Sequence, residues 1–167
     1  DSISNFLETN PDTVLGVLTR NSDFDLGQSQ RDAWVEEIVI LQDILSSYAG
    51  SIYFEYSIPR MGKRIDVLLL IKHVIFILEF KVGEQDFSSH SVDQVLDYAL
   101  DLKNFHESSH AQFIAPILIP TKAKNIAPVI SMTPQNDKVL IPLKCNIAVL
   151  RAVIRDVLSF PDGAALD

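Results

Sequence analysis

Two apolar runs joined by a short polar link constrain the fold of this chain more than any other feature. Residues 67–71 and 74–78 contain only Val, Ile, Leu and Phe, and Lys72-His73 separates them. Such runs are too short to cross a bilayer, and near-continuous apolar strands are typical of sheets that are covered on both faces. The pattern predicts two antiparallel strands, at residues 64–71 and 74–81, joined by a tight turn.

The flanking sequence predicts helices and further strands around this hairpin. Apolar residues recur at helical spacing over residues 29–48, and again from a cap at Ser88 or Ser91 to about residue 105. Further strands are predicted at residues 52–58, 112–120 and 138–143, a closing helix at about 146–160, and a short helix with an extended lead-in at 1–27. We therefore expect one α/β domain over residues 1–167, with its α-β-β-β-α-β core at about 29–143 and a mixed central sheet flanked by helices.

The charge of the chain argues against a protein that coats nucleic acid non-specifically. Its net charge is −8, from 14 Lys and Arg against 22 Asp and Glu. Residues 58–82 are locally positive, however, and a focused patch can steer a polyanion. The basic residues predicted to contact a substrate there are Arg60, Lys63 and Arg64. The single cysteine, Cys145, excludes an intrachain disulfide, so a reducing, cytoplasmic location without a membrane anchor is expected.

Three charged residues interrupt the apolar hairpin at one end. Asp66 lies near the start of its first strand, and Glu79 and Lys81 share one face near the end of the second. Because the hairpin is short, Asp66 should lie beside Glu79 and Lys81. Glu37 falls within the apolar stripe of the helix at 29–48, where a carboxylate needs a partner or a metal.

These residue types are the ones that phosphodiester hydrolysis uses. Carboxylate oxygens bind Mg²⁺ or Mn²⁺, which neutralises phosphate charge and lowers the pKa of a bound water. A nearby lysine can orient that water or stabilise the developing charge. Asp66, Glu79 and Lys81 are therefore predicted to be catalytic, with Glu37 as a further ligand, directly or through water.

This pattern resembles the PD-(D/E)XK nuclease superfamily, which has a restriction-endonuclease-like core. The resemblance lies in Asp66, a twelve-residue gap and Glu79-Phe80-Lys81 within the expected element order, and Ile65 stands where the family name has proline. It implies that Asp66, Glu79 and the Phe80 carbonyl bind the metal, that Lys81 assists the water, and that Gln94 and Tyr98 belong to the site.

The run through residues 56–84 and 93–103 also resembles an uncharacterised N-terminal domain that precedes a helicase module in some prokaryotic proteins. The resemblance implies a metal-dependent nuclease for DNA, with RNA less expected, in defence or repair. A helicase module in a longer parent chain and a homodimer as the active unit are both compatible with it.

Several alternatives remain open at this stage. The three charged residues could be a structural ion pair with a spare acid, Glu37 could pair with Arg64, and Gln94 and Tyr98 could satisfy backbone groups. The fold could also serve as a nucleic-acid- or protein-binding module without turnover. A zinc site at His106 and His110 lacks a third ligand, Cys145 is expected to be a packed thiol, and a small-molecule hydrolase would lack a nucleophile motif.

Overall fold

The computed structural model describes residues 1–21, 27–58, 61–105, 111–135 and 137–160. The helices are α1 (Ile3–Glu8), α2 (Pro11–Arg20), α3 (Gln28–Ile44, followed by a 3₁₀ turn at Leu45–Ser47), α4 (Ser89–Phe105) and α5 (Ile147–Ser159). The strands are β1 (Ser51–Ile58), β2 (Lys63–Ile71), β3 (Val74–Lys81), β4 (Phe113–Pro120) and β5 (Leu143–Lys144). Across these ranges, none of the helices combines the length and the apolar character that crossing a membrane requires.

The strands form one mixed sheet in the order β1-β2-β3-β4-β5. The first three strands pair antiparallel as a meander. β4 then pairs parallel with β3, after the crossover through α4, and β5 pairs parallel with β4. The predicted α/β fold with a mixed sheet and an α-β-β-β-α-β order is confirmed.

Helices cover both faces of the sheet and divide its apolar side chains into two clusters. One cluster joins the sheet to α1, α3 and α5, and includes Ile38, Phe76 and Ile154. The other joins the opposite face to α4, and includes Ile77 and Leu102. This double coverage explains why β3 reads as an apolar run, since seven of its eight residues are buried.

The N-terminal segment differs from its prediction, because it forms two helices and not one helix with an extended lead-in. α1 begins after Ser2, whose hydroxyl accepts a hydrogen bond from Asn5 N at 3.1 Å. α2 begins after Asn10, whose side chain accepts from Asp12 N at 2.8 Å, with Pro11 at the first helical position. Asn-Pro is a recognised start signal for a helix, so the second helix was readable from sequence.

The fifth strand also differs from its prediction at residues 138–143. The ladder of β5 contains only Leu143 and Lys144, whereas Val139 and Leu140 make isolated bridges to Ile114 and Met132. Pro142 between these two pieces has no N–H to donate to a ladder, which explains why the apolar run does not form one strand.

Candidate functional site

Three acidic residues lie at one level of the antiparallel meander, each on a different strand. In β1 and β2, Phe54 pairs with Val67 and Tyr56 with Ile65, so Glu55 faces Asp66. The register of β2 and β3 runs to Val67 opposite Leu78, and one residue further brings Glu79 opposite Asp66. Each acid therefore comes from a different strand at the same level of the sheet.

At this level β1 reverses which of its side chains point to each face of the sheet. Glu55 has φ 51°, in the left-handed region, and stands between the Phe54–Val67 and Tyr56–Ile65 pairs of the ladder. Ile52 belongs to the cluster under α3, whereas Ile58 belongs to the cluster under α4, although regular alternation would place both on one face. Sequence reasoning missed Glu55, and the available signal was an acid within the aromatic run of that strand.

Asp66 and Glu79 are held next to each other by the hairpin. Phe80 N donates a hydrogen bond to Asp66 Oδ2 at 3.3 Å, which fixes the aspartate at the end of β3. Burial raises the pKa of Asp66 well above its usual range, and the negative charges of Glu79, Glu37 and Glu55 raise it further. The predicted meeting of Asp66 with Glu79 is thus present in the structure.

Glu79 is 5 % exposed and is only partly satisfied. Its Oε1 lies 3.2 Å from Lys81 Nζ, whereas its Oε2 is buried without a hydrogen-bond partner, one of two such side-chain atoms among the residues described. Burial raises the pKa of Glu79, and the charge and hydrogen bond of Lys81 oppose that rise, as does Asp66, which lies close enough to share a proton with it. A buried, unpaired carboxylate oxygen is costly unless a cation or a proton occupies it.

A chain of hydrogen bonds connects Lys81 to α4. Lys81 Nζ donates to Gln94 Oε1 at 3.3 Å, and Gln94 Nε2 donates to the Tyr98 hydroxyl at 2.9 Å. Gln94 and Tyr98 are one helical turn apart, so they face the sheet together. The structure therefore brings the predicted residues Lys81, Gln94 and Tyr98 together. Gln94 accepts a hydrogen bond from the lysine and donates one to the tyrosine.

Glu37 reaches the same place from α3, on the other side of the sheet. It is 6 % exposed, and burial raises its pKa to about 8, with further increases from the charges of Glu55 and Glu79. The carboxyl group of Glu37 therefore lies near enough to Glu55 and Glu79 for their charges to affect its pKa.

The predicted substrate-binding basic residues are distributed differently. Lys63 Nζ forms an ion pair with Asp101 Oδ2 on α4 at 2.7 Å. Arg64 is exposed, and its charge lowers the pKa of Glu55, so it lies near the acids. Arg60 lies outside the described residues. A role for these residues in binding substrate remains a prediction.

The donor set fits a hard divalent cation that keeps part of its water shell. Within the described residues, no three His, Cys, Asp or Glu side chains are placed to hold a metal ion together. Mg²⁺, however, is usually held by one or two carboxylates together with waters. Asp66 and Glu79 provide two adjacent carboxylates, and Glu79 Oε2 provides a free acceptor.

The other residues considered from sequence do not add to this site. Cys145 is fully buried, and burial raises the pKa of its thiol to about 12, as expected of a packed thiol. His106 and His110 lie outside the described residues.

The chain matches no protein-family model and no curated protein sequence. Among solved structures, it is similar to a repair endonuclease from Pyrococcus abyssi, with 21 % sequence identity and a TM-score of 0.39 over 62 % of this chain. The chain spans 41 % of the length of that neighbour. At this TM-score the similarity supports no conclusion about function.

Proposed function

We propose that this chain is a metal-dependent nuclease that hydrolyses phosphodiester bonds, acting on DNA in preference to RNA. The observation that carries the proposal is the buried Glu79 carboxylate, whose Oε2 has no partner. Asp66 lies close to this carboxylate, and Lys81 Nζ lies 3.2 Å from its Oε1. Two carboxylates and an ammonium group meet where β2 begins and β3 ends. This arrangement favours metal-dependent hydrolysis over a simple ion pair, which would leave no acceptor unpaired.

In this proposal Asp66 and Glu79 hold Mg²⁺ or Mn²⁺, with the Phe80 carbonyl as a further ligand and Glu37 bound directly or through water. The bound cation neutralises phosphate charge and lowers the pKa of a water molecule. Asp66 keeps its place because Phe80 N donates to its Oδ2. Glu37 would supply a further negative charge from α3 once the cation lowers its pKa.

Lys81 would act on the reacting water or on the charge that develops at phosphorus. Its ammonium group can donate three hydrogen bonds, and Glu79 and Gln94 accept two of them in the structure. The third remains for water or phosphate. Tyr98 holds Gln94 in position, so this pair would direct the lysine toward the scissile bond.

A catalytically silent nucleic-acid- or protein-binding module is the second candidate. The net charge of −8 favours it, because bringing a polyanion to an acidic protein is costly unless a cation intervenes. The two candidates differ in whether turnover depends on the cation-binding residues. A helicase module in a longer parent chain and a homodimer are also proposals.

Cleavage assays with matched variants test the proposal. Labelled duplex DNA, single-stranded DNA and RNA are incubated with the protein in Mg²⁺, Mn²⁺ or EDTA, beside Asp66→Asn, Lys81→Ala and the control Lys144→Ala, which removes an exposed lysine of β5. We expect DNA cleavage that EDTA, Asp66→Asn and Lys81→Ala each abolish and that the control retains. A folded protein that binds DNA without cleaving any substrate would support the binding module instead.

A further inference from the structure

We infer that Lys122 and Lys124 form a phosphate-binding surface beside the candidate site and hold the backbone of the substrate next to the scissile bond. The inference rests on the proposed function, because the phosphates in question belong to the nucleic acid that the site would cleave. Neither lysine lies in residues 58–82, the segment whose local charge predicted the substrate contacts.

The register of the sheet brings the segment after β4 to the edge where the acids lie. Lys81 pairs with Pro120 in the parallel ladder of β3 and β4, so both strands end at the same edge. Lys122 follows Pro120 by two residues. The strand spacing and the rise per residue therefore place its Cα within roughly 12 Å of the Cα of Lys81. Duplex DNA has a phosphate at about every 3.4 Å along each strand, so this span covers about three or four nucleotides.

Backbone hydrogen bonds fix this segment against the end of β3. Thr121 N donates to Lys81 O at 3.1 Å. Lys122 N donates to Glu84 O at 2.9 Å, and Gly83 N donates to the Thr121 hydroxyl at 2.8 Å. The chain that leaves β4 is therefore joined to the chain that leaves β3, directly beyond the proposed catalytic lysine.

A buried alanine separates the two lysines and fixes their direction. Ala123 is buried, whereas Lys122 and Lys124 on either side of it are exposed. Ala123 O accepts a hydrogen bond from Asn146 Nδ2 at 3.1 Å, and the same amide donates to Asn125 Oδ1. Asn146 is itself buried and caps α5. The alanine is thus held inward, and both lysines project into solvent.

Both ammonium groups are available to an external anion. In the described parts of the chain, neither of them forms an ion pair. Lys63, by contrast, is paired with Asp101. Glu84, the acid of the adjoining turn, is exposed and pairs with neither lysine.

The sequence around the two lysines lacks acids, although the chain as a whole is acidic. Residues 108–136 contain Lys122 and Lys124 but no Asp or Glu, in a chain with 22 such acids and a net charge of −8. An acidic protein repels a polyanion except where its local charge is positive. The acid-free segment beside the site is therefore where a phosphate backbone meets little repulsion.

The class of ligand follows from the neighbouring site. The lysine ammonium group is a compact charge that binds phosphate. A nucleic acid whose phosphodiester bond lies at the site has further phosphates within a few nucleotides of it. The Cα atoms of Lys122 and Lys124 are at most roughly 7 Å apart, so their flexible side chains can contact neighbouring phosphates of one strand.

The test measures DNA affinity by fluorescence anisotropy as a function of KCl concentration, in EDTA so that no cation-dependent turnover occurs. The variants are Lys122→Gln, Lys124→Gln, both together, and a double arginine variant that keeps both charges. Lys72→Gln is the matched control, because Lys72 is an exposed lysine in the turn between β2 and β3, at the opposite end of the sheet.

Each phosphate contact contributes about 0.9 to the slope of log affinity against log salt concentration for duplex DNA, and about 0.7 for a single strand. We therefore expect the double glutamine variant to lower this slope by about 1.4 to 1.8. Each single variant should lower it by about half as much. Lys72→Gln and the double arginine variant should retain the wild-type slope.

Cleavage in Mg²⁺ gives a second readout. Groups that bind the substrate equally in the ground state and the transition state affect KM and not kcat. The double glutamine variant should therefore raise KM and leave kcat unchanged. A lower kcat with an unchanged KM would contradict the binding role.

The outcomes separate this inference from the proposed function. A wild-type protein that cleaves DNA, with an unchanged salt slope in the double glutamine variant, would overturn the role of the two lysines and leave the proposed function standing. A lowered slope in a protein that cleaves no substrate would support the phosphate contacts and transfer them to the binding module. A wild-type protein that binds no DNA in EDTA would overturn the inference, because these contacts need no cation, and cleavage in Mg²⁺ would still decide the proposed function.

Discussion

The buried carboxyl group of Glu37 should make the stability of the cation-free protein depend on pH. Burial, with the charges of Glu55 and Glu79, raises its pKa from 4.5 to about 8. The folded state therefore holds this proton more tightly than the unfolded chain does. The resulting stability is fully present below pH 4.5 and is lost as the pH rises through about 8.

The size of this loss follows from the pKa change. At about 1.4 kcal/mol for each pKa unit, a rise from 4.5 to about 8 corresponds to about 5 kcal/mol of unfolding free energy. Asp66 and Glu79, whose pKa values are also raised, add to the pH dependence of the wild type, so the Glu37 part is measured as the difference between the wild type and a Glu37 variant. The loss from Glu37 is comparable to the whole stability of a marginal domain.

Urea unfolding in EDTA, from pH 4.5 to about pH 8, measures the effect in the wild type, in Glu37→Gln and in the control Glu84→Gln. Glutamine stays neutral, so the variant should gain on the wild type as the pH rises, by several kcal/mol at the upper end. The control should follow the wild type. Parallel profiles for the wild type and Glu37→Gln would refute the reasoning, because they would show that Glu37 releases its proton without cost.

Three further changes test separate parts of the structure. Tyr98→Phe removes the hydroxyl that holds Gln94 and should lower DNA cleavage by up to about a hundredfold with an unchanged circular dichroism spectrum; full activity would contradict a positioning role. Ser88→Ala removes the oxygen that caps α4 and should cost about 1 kcal/mol in urea unfolding, and no loss would contradict the cap. Lys63→Ala breaks a partly exposed ion pair and should cost less than about 1 kcal/mol. If Lys63 contacts phosphate, the variant should release about one counterion fewer on binding DNA, so the slope of log affinity against log salt concentration should fall by about one. An unchanged slope would exclude that contact.

The sheet was predictable because each strand shows a hydrophobic pattern within its own short sequence. The predicted strand at 74–81 agrees with Val74–Lys81, and the predicted strand at 64–71 differs from Lys63–Ile71 by one residue. An apolar run bounded by a polar turn leaves few other conformations for the chain. The prediction of the fifth strand was wrong because a proline within an apolar run decides strand pairing more strongly than hydropathy does.

The site was predictable where local geometry alone positions its residues. A tight hairpin brings Asp66 to Glu79, and alternation along one strand brings Glu79 to Lys81. Glu55 could not be predicted in this way, because its position depends on a left-handed backbone angle and on an indole from a distant helix. Neither of these follows from hydrophobic periodicity.

The irregular backbone at Glu55 also affects how the protein avoids self-association. β1 is an edge strand of the sheet, and exposed edges can recruit strands from other copies and begin aggregation. The start of this edge is already occupied, since Ser2 bridges Ser51 and Ile52 N donates to Asp1 O at 2.9 Å. Further along Ser51–Ile58, the turn of the backbone at Glu55 interrupts the straight row of hydrogen-bonding groups that a foreign strand would need. The left-handed residue of β1 thus lies at the point where the exposed edge ceases to be a template.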